Sequence, residues 1–208
     1  MAVTKKADGR VVRGKKNREL IVNALMACIR EGNPSPTAQE VSERAGVGLR
    51  TVFRHFEDME TLYRELANEV SKILQPVLES PIEGKTWEEK LVHIVNRRSD
   101  MFELLLPLHQ ATQVHLHESP FLKQQKRFYV QMQRNLLTVL LPETLAKSGN
   151  TLEALDLLLS IETWARLRIE QGLAAPQAAQ VLQNCVLTLS HAASLAPSET
   201  QLPTGSSR

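Results

Sequence analysis

Apolar residues recur at three- and four-residue spacing along nearly the whole chain, and no segment alternates apolar and polar residues with hairpin punctuation. That periodicity predicts an all-α fold. The first helix is expected from about Lys15, with Leu20, Ile21, Ala24, Leu25, Cys28 and Ile29 on one stripe, stopping at Gly32 before "NPSP". Thr37, with Glu40 three residues on, has the chemistry of a capping box and opens a short helix through Val41 to Ala45. Gly46 supplies a turn. The next stretch, "VGLRTVFRHF", predicts a second short helix with Leu49, Val52, Phe53 and Phe56 as its apolar stripe and Arg50, Thr51, Arg54 and His55 opposite. Asp58 then caps a long helix through Leu62, Leu66, Val70 and Ile73, which Pro76 kinks or ends.

Beyond the breaker cluster "SPIEGKT" the pattern predicts a helix capped by Thr86 through Leu91, Ile94 and Val95, and another from Met101 to Leu116 interrupted by Pro107. A third starts at Phe121 and runs to Leu140. Two strongly periodic helices follow, about 151–171 and 176–195, and "APSETQLPTGSSR" has the composition of a disordered tail. The expected organisation of about nine helices is a basic flexible arm at 1–14, a helical module at 15–75, a larger helical domain at 76–196 and a tail at 197–208.

Composition narrows the class. With 208 residues, 42% of them hydrophobic, the chain can bury a substantial core. It has no apolar run of about 18 residues, and its basic N-terminus lacks the apolar stretch of a secretory signal, so no membrane partner and a cytoplasmic location are expected. Cys28 and Cys185 fall at apolar positions of helical patterns and read as small buried residues. Net charge is +2, but residues 1–66 carry twelve Lys and Arg against nine Asp and Glu, so the positive excess is N-terminal. In residues 1–18, Lys5, Lys6, Arg10, Arg13, Lys15, Lys16 and Arg18 face Asp8 alone. Such a segment is either a solvated tail or an arm that meets phosphate.

Helix, glycine turn and helix in about twenty residues is the helix-turn-helix arrangement, whose second helix presents its polar side to the major groove. Arginine gives two hydrogen bonds to guanine, threonine offers a hydroxyl and a methyl, and histidine donates to phosphate. Leu49 either faces inward or touches a thymine methyl. Catalytic motifs are missing: there is no glycine-rich phosphate loop, no G-x-S-x-G, no paired-cysteine zinc spacing and no H-E-x-x-H. No enzyme, cofactor or metal is expected. His109, His115, His117 and Glu118 cluster in "LHQATQVHLHES", but neighbours two apart on a helix point away from each other. A helical small-molecule or partner-binding protein that does not read DNA is the alternative, and an enzyme built on His109 or His115 a more distant one; sequence-selective binding separates the first from a regulator.

The segment "PTAQEVSERAGVGLRTVFRHFEDMETLYRELANEV", residues 36–70, with "AGV" followed by aromatic-x-His-Phe, resembles the DNA-binding signature of the TetR family of bacterial transcriptional regulators, of the TetR/AcrR-like kind. The likeness covers about residues 15–70; the remainder is similar in layout. It implies a ligand-responsive repressor that binds a palindromic operator in double-stranded DNA as a homodimer. By position, Thr37 and Gln39 would touch phosphate and sometimes a base from the supporting helix, Arg50 and Thr51 would fall where base readers lie, and Phe53 and His55 would touch backbone phosphate, with Gly48, Leu49 and Arg54 counted in the same DNA-facing segment. Arg13, Lys15 and Lys16 of the arm would add to that grip. Three residues depart from the pattern: Phe53 for the commoner tyrosine, Met59 for a lysine and Gly48 for a capping serine or threonine. An effector of unknown identity would sit in a mostly apolar pocket drawn from Met101, Phe102, Leu105, His109, Thr112, Phe128, Met132 and Trp164. In the last two helices Leu152, Leu155, Leu159, Ala178, Val181, Leu182, Cys185, Val186 and Leu189 form broad stripes, and the resemblance implies pairing there about a two-fold axis.

Overall fold

The structure, a computed structural model, describes residues 9–195. Among these residues it is all-helical: α1 (Gly9–Arg30), α2 (Ala38–Ala45), α3 (Leu49–His55), α4 (Met59–Glu79), α5 (Trp87–His115), α6 (Pro120–Leu140), α7 (Glu143–Ala146), α8 (Gly149–Leu158), α9 (Ile161–Ala165) and α10 (Ala175–Leu195), with a π-helical turn, Arg166–Glu170, continuing α9. The tail expected at 197–208 and the first eight residues of the expected arm lie outside the described residues. Residues 9–14, expected in the arm, form the first turns of α1.

The local signals at the helix ends act as their chemistry requires. Thr37 caps α2 in a complete capping box, Asp58 caps α4 by accepting from the Thr61 amide at 2.7 Å, and Ser119 caps α6, with Pro120 at the first helical position where its missing N–H leaves no bond unmade. Pro76 does not end α4, which runs on to Glu79. It stops at Ser80, extended at ψ 140° because Pro81 follows. Pro107 does not divide α5 either; the two helices expected there are one of 29 residues. Leu108 and Ala111 just beyond the proline are buried, as are Met101 and Phe102 before it, so packing on both sides holds the helix through the missing bond. The helix expected at 151–171 does break. Ser160 leaves helical geometry at ψ 156°, its hydroxyl accepting from the Thr163 amide and donating to the Leu157 carbonyl, and this starts α9.

The chain packs as two units. One comprises the chain up to Pro81 with Arg97–Gln131; the other comprises Ile82–Asn96 and the chain from Met132 onward. The breaker cluster thus lies near a division, but α5 and α6 each contribute to both units. The first unit is built on a core of Ile21, Val22, Leu25, Met26 and Ile29 from α1, Val41 from α2, Val52 and Phe56 from α3, Leu62, Tyr63 and Leu66 from α4, and Leu108 and Ala111 from α5. On α1 the buried face is rotated from the expected stripe: Val22 and Met26 are inside, while Leu20 is 39% exposed and Cys28 only partly covered. In the second unit α10 packs on α7, α8 and the π turn, burying Leu145, Leu152, Leu155, Leu159, Trp164, Leu167, Ala178, Leu182 and Val186. Each buried leucine or valine among them is worth about 1.5–3 kcal/mol relative to exposure.

Candidate nucleic-acid interface

The turn between α2 and α3 is set by backbone geometry at one residue. Gly46 sits at φ 66°, ψ 30°, left-handed, and its amide and that of Val47 return to the carbonyls of Glu43 and Ser42. Val47 then packs on the core, which fixes how the chain enters α3. Gly48 occupies the N-cap without a side chain to cap with, so α3 begins on backbone bonds alone, from Thr51 N to Gly48 O at 2.7 Å.

α3 shows its two faces clearly. Val52 and Phe56 are 2% exposed and anchor it, whereas Leu49 is 37% and Phe53 50% exposed. Half of the expected apolar stripe therefore faces outward. The core shared by α1, α2 and α4 takes in Val52 and Phe56 and leaves Leu49 and Phe53 out. Arg50 and Arg54 are exposed beside them, Thr51 is half-buried, and α3 contains no acidic residue.

His55 departs from its expected place. A Cβ built on Gly14 of α1 would lie 3.9 Å from its Cε1, so the imidazole rests against α1, and its Nε2 is buried with no hydrogen-bond partner. Burial, and then the charges of Arg54 and Arg18, hold its pKa below the ordinary histidine value. Its Nε2 thus faces α1 and not solvent, and the ring is only half-buried.

Arg18, which the sequence places among arm cations, is the clamp of the module. Its guanidinium donates to the His55 carbonyl at 3.2 Å and to Glu65 Oε2 of α4 at 2.8 Å, and stacks 4.6 Å above the centre of the Phe56 ring. A cation on the last carbonyls of α3 also suits the negative end of its dipole. No local pattern points to this role, because its partners lie 37 and 47 residues away.

The supporting helix is already committed. The Thr37 hydroxyl and amide both donate to Glu40 Oε2 at 2.7 Å, bonds which, amide first, lower the Glu40 pKa, and Gln39 Nε2 donates to Glu43 Oε1 at 2.6 Å. Both residues are exposed; a phosphate would have to displace the Glu40 carboxylate to use the Thr37 hydroxyl, whereas Gln39 keeps a second N–H to donate. Met59, where the resemblance expects a lysine, packs partly against the core. Lys15 and Lys16 are exposed, as is Arg13, all on the first half of α1, the helix that touches His55. The cations thus ride on a rigid element beside α3.

Elsewhere the expected site residues scatter. Met101, Phe102 and Trp164 are buried, Leu105 packs on the first unit's core, and the Thr112 hydroxyl is spent on the Leu108 carbonyl of its own helix at 2.8 Å. His109 is half-buried. Phe128, expected in a pocket, is instead 64% exposed with Tyr129 edge-on to it, and Met132 and Trp164 belong to the second unit. His115 packs against Tyr63 with ring centres 4.9 Å apart and the rings tilted by 42°, while His117 points to solvent beside Glu118. Among the described residues no three His, Cys, Asp or Glu groups could hold a metal ion, and no helix is long and apolar enough to cross a membrane.

The stripes assigned to pairing divide in two. Leu155, Leu159, Leu182 and Val186 are at most 3% exposed within a single chain and so form its core, not an interface. Val181 and Cys185 face outward, four residues apart on α10, with Leu189 half-buried one turn on. Cys185 is therefore not the small buried residue its periodicity suggested.

No protein-family model matches the chain, and no curated protein matches it by sequence. Solved structures do match its fold. A transcriptional regulator from Rhodococcus sp. Rha1 superposes with a TM-score of 0.65 at 19% identity, covering 86% of this chain and 99% of its own. A TetR-like transcriptional regulator from Rhodococcus sp. RHA1 gives 0.59 at 9% identity over 87% and 97%. At such identities the likeness is one of architecture: the chain has the fold of the TetR-like transcriptional regulators.

Proposed function

We propose that this protein is a sequence-specific DNA-binding transcriptional regulator, a ligand-responsive repressor that reads a palindromic operator as a homodimer. The observation that carries the reading is α3 itself. A seven-residue helix is anchored by Val52 and Phe56, clamped at its carbonyl end by Arg18, and free of acidic residues, with Arg50 and Arg54 exposed on its outer side. Paired arginines on a rigid helix suit guanine edges in the major groove, and Arg13, Lys15 and Lys16 on α1 suit the flanking phosphates. Two copies related by a two-fold axis would place two such helices about 34 Å apart, one helical turn of DNA, and an effector would act by favouring a spacing that misses this register.

Selection of bound sequences from a random duplex pool tests the reading, with Arg50→Ala/Arg54→Ala as the comparison. A palindromic motif is expected for the natural protein, with affinity falling steeply as salt rises, and loss of the motif for the variant. Binding without a motif would instead support a helical small-molecule or partner-binding protein that does not read DNA.

A further inference from the structure

Leu49 and Phe53 stand one helical turn apart on the outer side of α3, 37% and 50% exposed, while Val52 and Phe56 of the same helix are closed off at 2%. Each is only partly covered, with a substantial apolar surface left open to solvent. They run alongside a second row, Arg50 and Arg54, also one turn apart. The outer surface of α3 is therefore an apolar row beside a cationic row. With Arg13, Lys15 and Lys16 on the neighbouring α1 and no acid on α3, its charge is complementary to a polyanion.

We propose that Leu49 and Phe53 read thymine, each receiving the C5-methyl group of one base in the major groove. Phe53 has no hydroxyl and so has nothing to donate to a phosphate; its ring can gain only by apolar contact. The thymine methyl is the one apolar group that a base pair presents in that groove. The cationic row beside it then meets base acceptors and backbone. This assignment rests on the DNA-binding reading above and adds to it a base preference at two positions of each half-site.

The test uses the duplex selected from a random pool, resynthesised with deoxyuridine in place of thymidine one position at a time. That exchange removes a methyl and leaves base pairing intact. At two positions per half-site it should weaken binding by about three- to fourfold, the worth of one buried methyl, and by about tenfold when both are changed. Leu49→Ala should make one of those positions indifferent to the exchange and Phe53→Ala the other. Both residues are exposed, so the variants should melt with the natural protein, and the deoxyuridine series on unchanged protein stands without them. A selected motif whose binding ignores every exchange, or sensitivity that survives both substitutions, overturns the thymine assignment while leaving the regulator reading in place. Recovery of no motif at all overturns both.

Discussion

Arg18 reaches from α1 to two other helices, and this makes it the side chain on which the attitude of α3 depends. It satisfies a terminal carbonyl of α3, pairs with Glu65 on α4 and covers the Phe56 ring. Its hydrogen bond is the first cause of the lowered Glu65 pKa, ahead of the opposing effect of burial. Arg18→Ala should reduce stability by about 1 kcal/mol at pH 7, a figure kept small because both side chains are partly exposed. A carboxylate with a lowered folded pKa contributes stability above its unfolded value, about 4.3, and loses it as pH falls through the folded value. The gap between variant and natural protein in thermal or urea unfolding should therefore be full at neutral pH and shrink below about pH 4. A gap unchanged at pH 3 would place the contribution in the His55 carbonyl bond and the stacking on Phe56 and not in the Glu65 pair.

At the scale of elements, two glycines do different work. Gly46 needs only a left-handed backbone, with nothing within 4 Å of where a Cβ would be, whereas at Gly84, φ 133°, a Cβ would come within 2.7 Å of the Lys90 amide nitrogen. The chain there folds back on the start of α5, where the Lys85 amide donates to Glu89 and the Glu83 amide to His93 Nδ1. Gly84→Ala should thus lower stability by about 1–3 kcal/mol through backbone strain and collision. Gly46→Asn, a residue that tolerates the left-handed region, should cost less than about 1 kcal/mol. Comparable losses in urea titrations of the two variants would show that the approach to Lys90 relaxes freely.

At the scale of the whole molecule, function as proposed needs a second copy. Of the residues expected to mediate pairing, only those outside the chain's own core can do so, and on α10 these are Val181 and Cys185 with the half-buried Leu189; Leu157 and Ile169 are also outward in the same unit at 66% and 48% exposure. Val181→Glu/Cys185→Glu should leave a folded monomer that binds a palindromic duplex far more weakly. Val186→Asp should unfold the second unit instead, because it places an unpaired charge in the core. Light scattering and circular dichroism separate the two outcomes, and a dimer that survives Val181→Glu/Cys185→Glu would move the interface off this face of α10.

Much of this protein was decided by residues close together in sequence. The helical class, the Thr37 and Asp58 caps, the Gly46 turn and the arginines of α3 were all legible, because caps, turns and periodicity involve groups within four residues of each other. Tertiary packing decided the rest. Periodicity marks an apolar stripe but not how much of it a neighbour covers, so it could not show that Leu49 and Phe53 stay outside while Val22 and Met26 go in. Nor could it separate core from interface on α10, carry α5 through Pro107, or turn Arg18 from one basic residue among seven into a clamp. Those outcomes depend on contacts tens of residues apart, where the free energy of burying a side chain exceeds any local preference.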